Sequence, residues 1–188
     1  MEKLIKDIAK IRTGLFGKPM GRGDVLYLQV KHFDDYGQLQ TTLFPDLFAD
    51  DIPERHLLKP GDVLFAAKGT KNFAAIYESH NRPAVASTSF FVIKIKDENV
   101  LPEYLVWFLN NHAVRTILKE QAIGTSMASI SKTVLEGLEI TIPNIEIQNK
   151  ILRITKLRNR ERVLKQKIDS LREQQIQQQI IQAINYER

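Results

Sequence analysis

The sequence predicts a mixed α/β (α+β) domain over residues 1–143, followed by a long C-terminal coiled-coil helix over residues 144–188. Three observations carry this. Short apolar runs rich in β-branched and aromatic residues recur before residue 100 and read as strands. Apolar residues at helical spacing follow Pro102. After Pro143 the texture changes, and residues 145–185 contain neither glycine nor proline.

Taken in order, Leu4, Ile5, Ile8 and Ile11 fit a helix or a short strand that ends at Gly14. Val25 to Val30 is a strand run preceded by Gly21 and Gly23. Gly61-Asp62 is a turn, and Val63 to Ala67 a second strand; Phe73 to Tyr77 is a third, short one, and Ser89 to Ile95 a fourth. Pro102 suits the first turn of a helix, where its missing N–H costs nothing. Leu105, Phe108 and Leu109 then face a core, and Val114, Ile117 and Leu118 continue the helical pattern until Gly124 stops it. Ser131 or Thr133 can cap a short helix, with Glu136 placed to complete a capping box from Thr133. Leu138, Ile140 and Ile142 alternate as a strand ended by Pro143.

Asn144 is a good helix cap. The helix expected after it is about 60 Å long at about 1.5 Å per residue. Ile147, Ile151, Ile154, Leu157, Leu164, Ile168 and Leu171 follow heptad-like steps, interrupted by Arg158-Asn159-Arg160-Glu161-Arg162. Ile176, Ile180 and Ile184 form a stripe in a shifted register, beside the glutamine-rich run from Gln174 to Gln179. One small domain rarely covers so many turns, so the stripe is expected to meet a partner helix.

Composition narrows the function. With 43% hydrophobic residues the chain can bury a core, and with no cysteine it holds no disulfide, thiolate metal site or cysteine nucleophile. Met1 leads into Glu2-Lys3-Leu4-Ile5 with no long apolar stretch, so neither a signal peptide nor a membrane span is expected. The net charge is +5, which permits a polyanion partner. Its distribution matters more: residues 1–143 hold 17 basic and 17 acidic residues, whereas 144–188 hold 10 and 5. Only segregated charge could make the first part bind a polyanion. Asp46, Asp50, Asp51 and Glu54 do crowd one stretch and leave other faces more basic.

Catalytic constellations are missing. Gly14-Leu15-Phe16-Gly17-Lys18-Pro19 lacks the Gly-Lys-Ser/Thr ending of a phosphate loop and its strand–loop–helix frame. There is no glycine-rich cofactor fingerprint and no Asn/Asp-Pro-Pro-aromatic motif of the amino-methyltransferases. Asp62 and Lys68 flank a strand, but no second carboxylate precedes Lys68 to build a two-metal site. His32, His56, His80 and His112 show no metal-ligand spacing and read as surface or turn residues. No catalytic residue, metal or cofactor is expected. The loops at 12–22, 68–72 and 124–132 instead offer Arg12, Lys18, Arg22, Lys68, Lys71 and Lys132 amid Gly, Thr, Ser and Asn. That mixture suits phosphates and base edges, although Lys68-Gly69-Thr70-Lys71-Asn72 taken alone also reads as an ordinary solvated turn.

The segment from Leu101 to Ile151 resembles the end of the target recognition domain in type I restriction-modification specificity subunits. The matching residues are Tyr104-Leu105, Gly124-Thr125, Ile130-Ser131, Leu135, Leu138, Ile140, Pro143 and Gln148. Upstream, Ile11-Arg12-Thr13-Gly14, Tyr27 to Val30 with Gly37, Leu58 to Phe65 and Lys68-Gly69-Thr70 are similar to the family's opening, first strand and glycine-aspartate strand. A full subunit has two recognition domains and two long helices, where this chain has one of each. The resemblance implies a non-enzymatic, cytoplasmic specificity subunit that reads double-stranded DNA and docks a methyltransferase subunit and, in some assemblies, a restriction subunit. DNA contacts are then expected at Arg12, Lys18, Arg22, Lys68, Thr70, Lys71, Asn72, Thr125, Ser126, Ser129 and Lys132. A homodimer is expected through Ile151, Ile154, Leu157, Leu164, Ile168, Leu171, Ile176, Ile180 and Ile184. It would read an interrupted palindrome. The contrasting expectation is an interaction protein, a decoy or assembly factor, that uses the same fold and reads no DNA.

Overall fold

The computed structural model describes residues 1–34, 37–39, 43–69, 71–78, 82–122 and 129–186, without the side chains of residues 51, 185 and 186. Strand β1 (Glu2–Leu4) leads through a single helical turn, α1 (Ile5–Ile8), into β2 (Ala9–Thr13). The ambiguous apolar run at the start is therefore strand, turn and strand, with Ile5, Ile8 and Ile11 all buried. Strands β3 (Leu26–Leu28), β4 (Val63–Ala66), β5 (Ala74–Ile76), β6 (Ala84–Ala86) and β7 (Phe90–Ile95) follow. Helices α2 (Pro102–Leu109), α3 (His112–Glu120) and α4 (Lys132–Glu136), strand β8 (Glu139–Thr141) and helix α5 (Ile145–Tyr186) complete the chain. The fold is thus the mixed α/β domain with a long C-terminal helix that the sequence predicts. Its chain divides into two compact units, Met1–Gln148 and Asn149–Arg188.

The central sheet is antiparallel, in the order β2-β7-β4-β5. All four residues of β4 are buried, which requires cover on both faces. On one face Leu64, Ala66, Phe90 and Val92 pack with Leu28, Phe33, Phe73, Ala84 and Ala86. Phe33, Phe73 and Phe90 form an aromatic trio with ring centroids 5.5–6.0 Å apart. Each such pair adds about 0.5–1.5 kcal/mol beyond area burial. On the other face Val63, Phe65, Ile93 and Ile11 are buried. Helix α2 packs against β5 and β4. Two small sheets flank this frame: β1 pairs antiparallel with β8, and β3 pairs parallel with β6. β6 had no strand signal in the sequence.

Two expectations are corrected. The helix expected from Pro102 to Gly124 is two helices. It breaks because the Asn110 side chain turns away to pair with the backbone of Ala74, accepting from its N–H at 2.9 Å and donating to its carbonyl at 2.8 Å. Asn111 then caps α3 by accepting from the Ala113 N–H at 3.0 Å. α3 ends at Glu120, and Gly124 lies outside the described residues. The capping box at Thr133 does not form either. Ser131 is the cap of α4, accepting from the Val134 N–H at 3.2 Å, and Glu136 pairs with Lys132 one turn back at 3.4 Å. The cap expected at Asn144 is present, with its Oδ1 accepting from the Ile147 N–H at 2.9 Å. Among the described residues no helix is long and apolar enough to cross a membrane.

Candidate nucleic-acid interface

One end of the sheet gathers loops that are far apart in sequence. It lies where β2 and β4 end and β7 begins, because Thr13 pairs with Phe91 and Ala66 with Phe90. Just beyond β2, the Gly14 N–H donates to Phe90 O and the Leu15 N–H to Ala86 O. Glycine is needed at position 14: a Cβ there would stand 2.1 Å from Ser87 O and 2.4 Å from Ala86 O. Just beyond β4, the Ala67 N–H donates to Ser89 O, and Ile130 returns a bond to Ala67 O at 2.9 Å. Lys68 and Ser129 form an isolated antiparallel bridge. Gly69 adopts φ +96°, which turns the chain back from this end at a conformation glycine takes without strain.

The expected DNA contacts separate on this frame. Lys68 and Lys71 are exposed on the loop after β4, and Ser129 is brought to that loop from the far side of the sequence. Lys18 and Arg22 are exposed on the loop after β2, which hydrogen-bonds to a neighbouring segment through Met20 N to Asp46 O. Lys132 is exposed at the start of α4, in its ion pair with Glu136. Thr70, Thr125 and Ser126 lie outside the described residues.

Arg12 and Asn72 differ from the exposed cations in being held by hydrogen bonds within the fold. The Arg12 Nη2 donates to the carbonyls of His56 and Leu57, both at 3.3 Å, and its Nε and Nη1 are buried. Burial lowers the Arg12 pKa, partly opposed by the charge of Asp62. The same packing lowers that of His56, through burial first and then the nearby charges of Arg12 and Arg55. Asn72 is only 5% exposed, and its Nδ2 donates to Ala66 O at 3.0 Å. It ties the far end of the Lys68–Lys71 loop to the last residue of β4. Arg12 is held by a turn distant in sequence, His56-Leu57, whereas Asn72 is held locally by Ala66 at the end of β4.

Among the described residues no group of His, Cys, Asp and Glu could hold a metal ion. His32 and His56 sit in 3₁₀ turns, His112 is exposed at the start of α3, and His80 lies outside the described residues.

The family model for the type I restriction modification DNA specificity domain matches residues 54–182, more than half of the chain. The chain belongs to this family. The specificity family is non-catalytic. The fold agrees with solved specificity subunits. The HsdS subunit from Thermoanaerobacter tengcongensis superposes with a TM-score of 0.61 at 16% identity, over 86% of this chain and 37% of that one. The S subunit of a type I restriction-modification system from M. genitalium gives 0.57 at 13% identity, over 84% of this chain and 38% of that one. A chain from a study of complex assembly and conformational transition of the type I R-M system gives 0.60 at 15% identity, over 86% and 38%. The specificity-family chain therefore spans under two fifths of the length of these solved chains. No curated protein sequence matches it.

Proposed function

We propose that this chain reads a DNA sequence with the loops at the β2/β4 end of its sheet, does no chemistry on the DNA, and works as a homodimer in a cytoplasmic type I assembly. The observation that supports this best is the Lys68–Ser129 bridge. It places an exposed lysine, a serine and a glycine turn from two distant segments on one sheet end, beside the loop that carries Lys18 and Arg22. Lysine and arginine neutralise phosphates, and short hydroxyl side chains reach base edges. Residues 1–143 serve as the target recognition domain and 144–188 as the helix for dimerisation and docking.

The second half of a bipartite readout has to come from another chain. Helix α5 supports a second copy as the source: Ile154, Leu157, Leu164, Ile168 and Leu171 are 47–59% exposed along it, and Ile151 is half-buried. Two such helices running antiparallel would cover each other's stripe, and a two-fold pair is the commonest oligomer. Ile176, Ile180 and Ile184 would make a separate contact on another face, because five residues at about 100° each turn Ile176 about 140° away from Leu171. A two-fold dimer meets two identical half-sites in opposite orientation, hence an interrupted palindrome, with a spacer near one or more turns of duplex. A methyltransferase subunit, and in some assemblies a restriction subunit, would dock on this dimer.

The test is binding of duplex DNA by the Lys68→Ala/Lys71→Ala double variant. The proposal expects weaker binding, a shallower loss of affinity with salt because fewer counterions are released, and an unchanged melting temperature. Unchanged binding would move the reading face elsewhere. Absence of any duplex binding by the parent chain would favour the decoy.

A further inference from the structure

Phe16 is the most conspicuous side chain of the loop after β2 that the DNA-reading account leaves unused. It is 81% exposed, a large aromatic ring in water. Its exposure is built rather than incidental. The Tyr27 hydroxyl donates to Leu15 O at 3.1 Å and accepts from the Gly17 N–H at 3.1 Å. One hydroxyl, on a tyrosine that is 5% exposed, thus grips the backbone on both sides of Phe16. Leu15 is held again from the other direction by its N–H bond to Ala86 O at 2.8 Å. A Cβ at position 17 would come within 3.0 Å of the Leu47 side chain, so the backbone there lies close against that residue. The chain is pinned inward at 15 and 17, and the ring between them is left outward.

The surroundings favour a nucleic acid as what meets this ring. Leu15 forms a bridge to Ser87, at the sheet end where Lys68 and Ser129 meet. The loop from 14 to 24 carries two cations, Lys18 and Arg22, against one carboxylate, Asp24. The nearby Asp46 is occupied within the fold, its Oδ1 accepting from the Tyr27 N–H at 3.1 Å. An exposed ring on a held backbone, in a loop that also carries cations, suits stacking on exposed base faces or wedging into base steps, since every base offers a π-face.

We propose that Phe16 is a base-stacking residue, inserted against a base or base step of the duplex while Lys18 and Arg22 hold the flanking phosphates. This rests on the DNA-reading proposal above and adds an aromatic contact to it. Because the loop is pre-fixed by Tyr27, little ordering cost accompanies insertion, and the duplex supplies the deformation. Sequence preference would follow, since pyrimidine–purine steps unstack most easily.

The test uses the full chain and a duplex that it recovers from a random-sequence pool, with 2-aminopurine placed at successive positions. Phe16→Ala is expected to weaken binding about tenfold and to abolish the 2-aminopurine fluorescence rise seen with the parent at one position. Its salt dependence should stay that of the parent, because no phosphate contact is lost. Phe16→Tyr should restore both signals. Since the ring is in solvent, the variants should melt as the parent does, and a matching melting curve keeps the comparison interpretable. A Phe16→Ala chain that binds as tightly as the parent overturns the stacking role alone. A parent chain that recovers no duplex overturns the DNA-reading proposal and this inference together.

Discussion

The side-chain amide of Gln148 closes the start of helix α2: its Oε1 accepts from the Leu101 N–H at 3.0 Å, 47 residues away in sequence. Its Nε2 donates to Asn99 O at 2.6 Å and to Pro143 O at 2.8 Å, and the residue is fully buried. One glutamine in the first turn of α5 thereby satisfies three backbone groups that have no helical or sheet partner. Gln148→Ala removes the side-chain partner of all three and leaves a gap where a fully buried side chain stood. It is expected to destabilise the chain by about 2–3 kcal/mol, read as a lower urea midpoint. A midpoint within error of the parent would show that these groups find other partners.

Asn72 separates a DNA contact from a structural tie. Removing its bond to Ala66 O by Asn72→Ala should cost about 1–3 kcal/mol and loosen the loop that presents Lys68. Thermal unfolding measures this without any DNA. A variant as stable as its parent but weaker in DNA binding would return Asn72 to the reading face.

The acid limb of stability should carry the mark of Asp97. Hydrogen bonds from Lys3, at 2.6 Å, and from Asn99 hold its pKa from 3.8 down to about 2. A carboxylate with a depressed folded pKa stabilises above its unfolded pKa and loses that contribution as pH falls through the folded value. The parent should therefore lose stability between pH 4 and about 2. Asp97→Asn should flatten that part of the curve and lower the plateau above pH 4. An identical acid limb in the variant would show that other carboxylates set it.

Helix α5 beyond Gln148 should be needed for assembly and not for the fold of residues 1–143. Leu164→Glu with Ile168→Glu puts charge into a stripe that is about half exposed in the single chain, so the monomer tolerates it. Light scattering should show a dimer for the parent at tens of micromolar and a monomer for the variant, with near-ultraviolet dichroism unchanged. A parent that is strictly monomeric at that concentration contradicts the homodimer.

Much of this was legible from residue order because it rests on local periodicity. Leu138, Ile140 and Ile142 alternate and are all buried, as a half-buried strand requires. Val63 to Ala66 and Phe90 to Ile95 are strands because their β-branched and aromatic side chains suit a packed sheet. What escaped depends on distant partners. Ala84 and Ala86 have no strand preference of their own; β6 exists because β3 pairs with it and Leu28, Phe33 and Phe73 pack over it. The break at Asn110 comes from Ala74, 36 residues earlier. At the site, Lys68 and Ser129 are far apart in sequence yet joined by a backbone bridge, and Arg12 bonds to the carbonyls of a distant turn at 56–57. Phe16 gave no signal at all, since its display depends on the Tyr27 hydroxyl.

The central claim, that the chain reads DNA sequence as a two-fold pair, is tested most directly by selecting bound duplexes from a random-sequence pool at moderate salt. The account predicts enrichment of one motif made of two identical half-sites in opposite orientation, separated by a spacer of fixed length. Failure to enrich any sequence would contradict DNA recognition itself. Enrichment of two unrelated halves, or of a single undivided site, would contradict the homodimer.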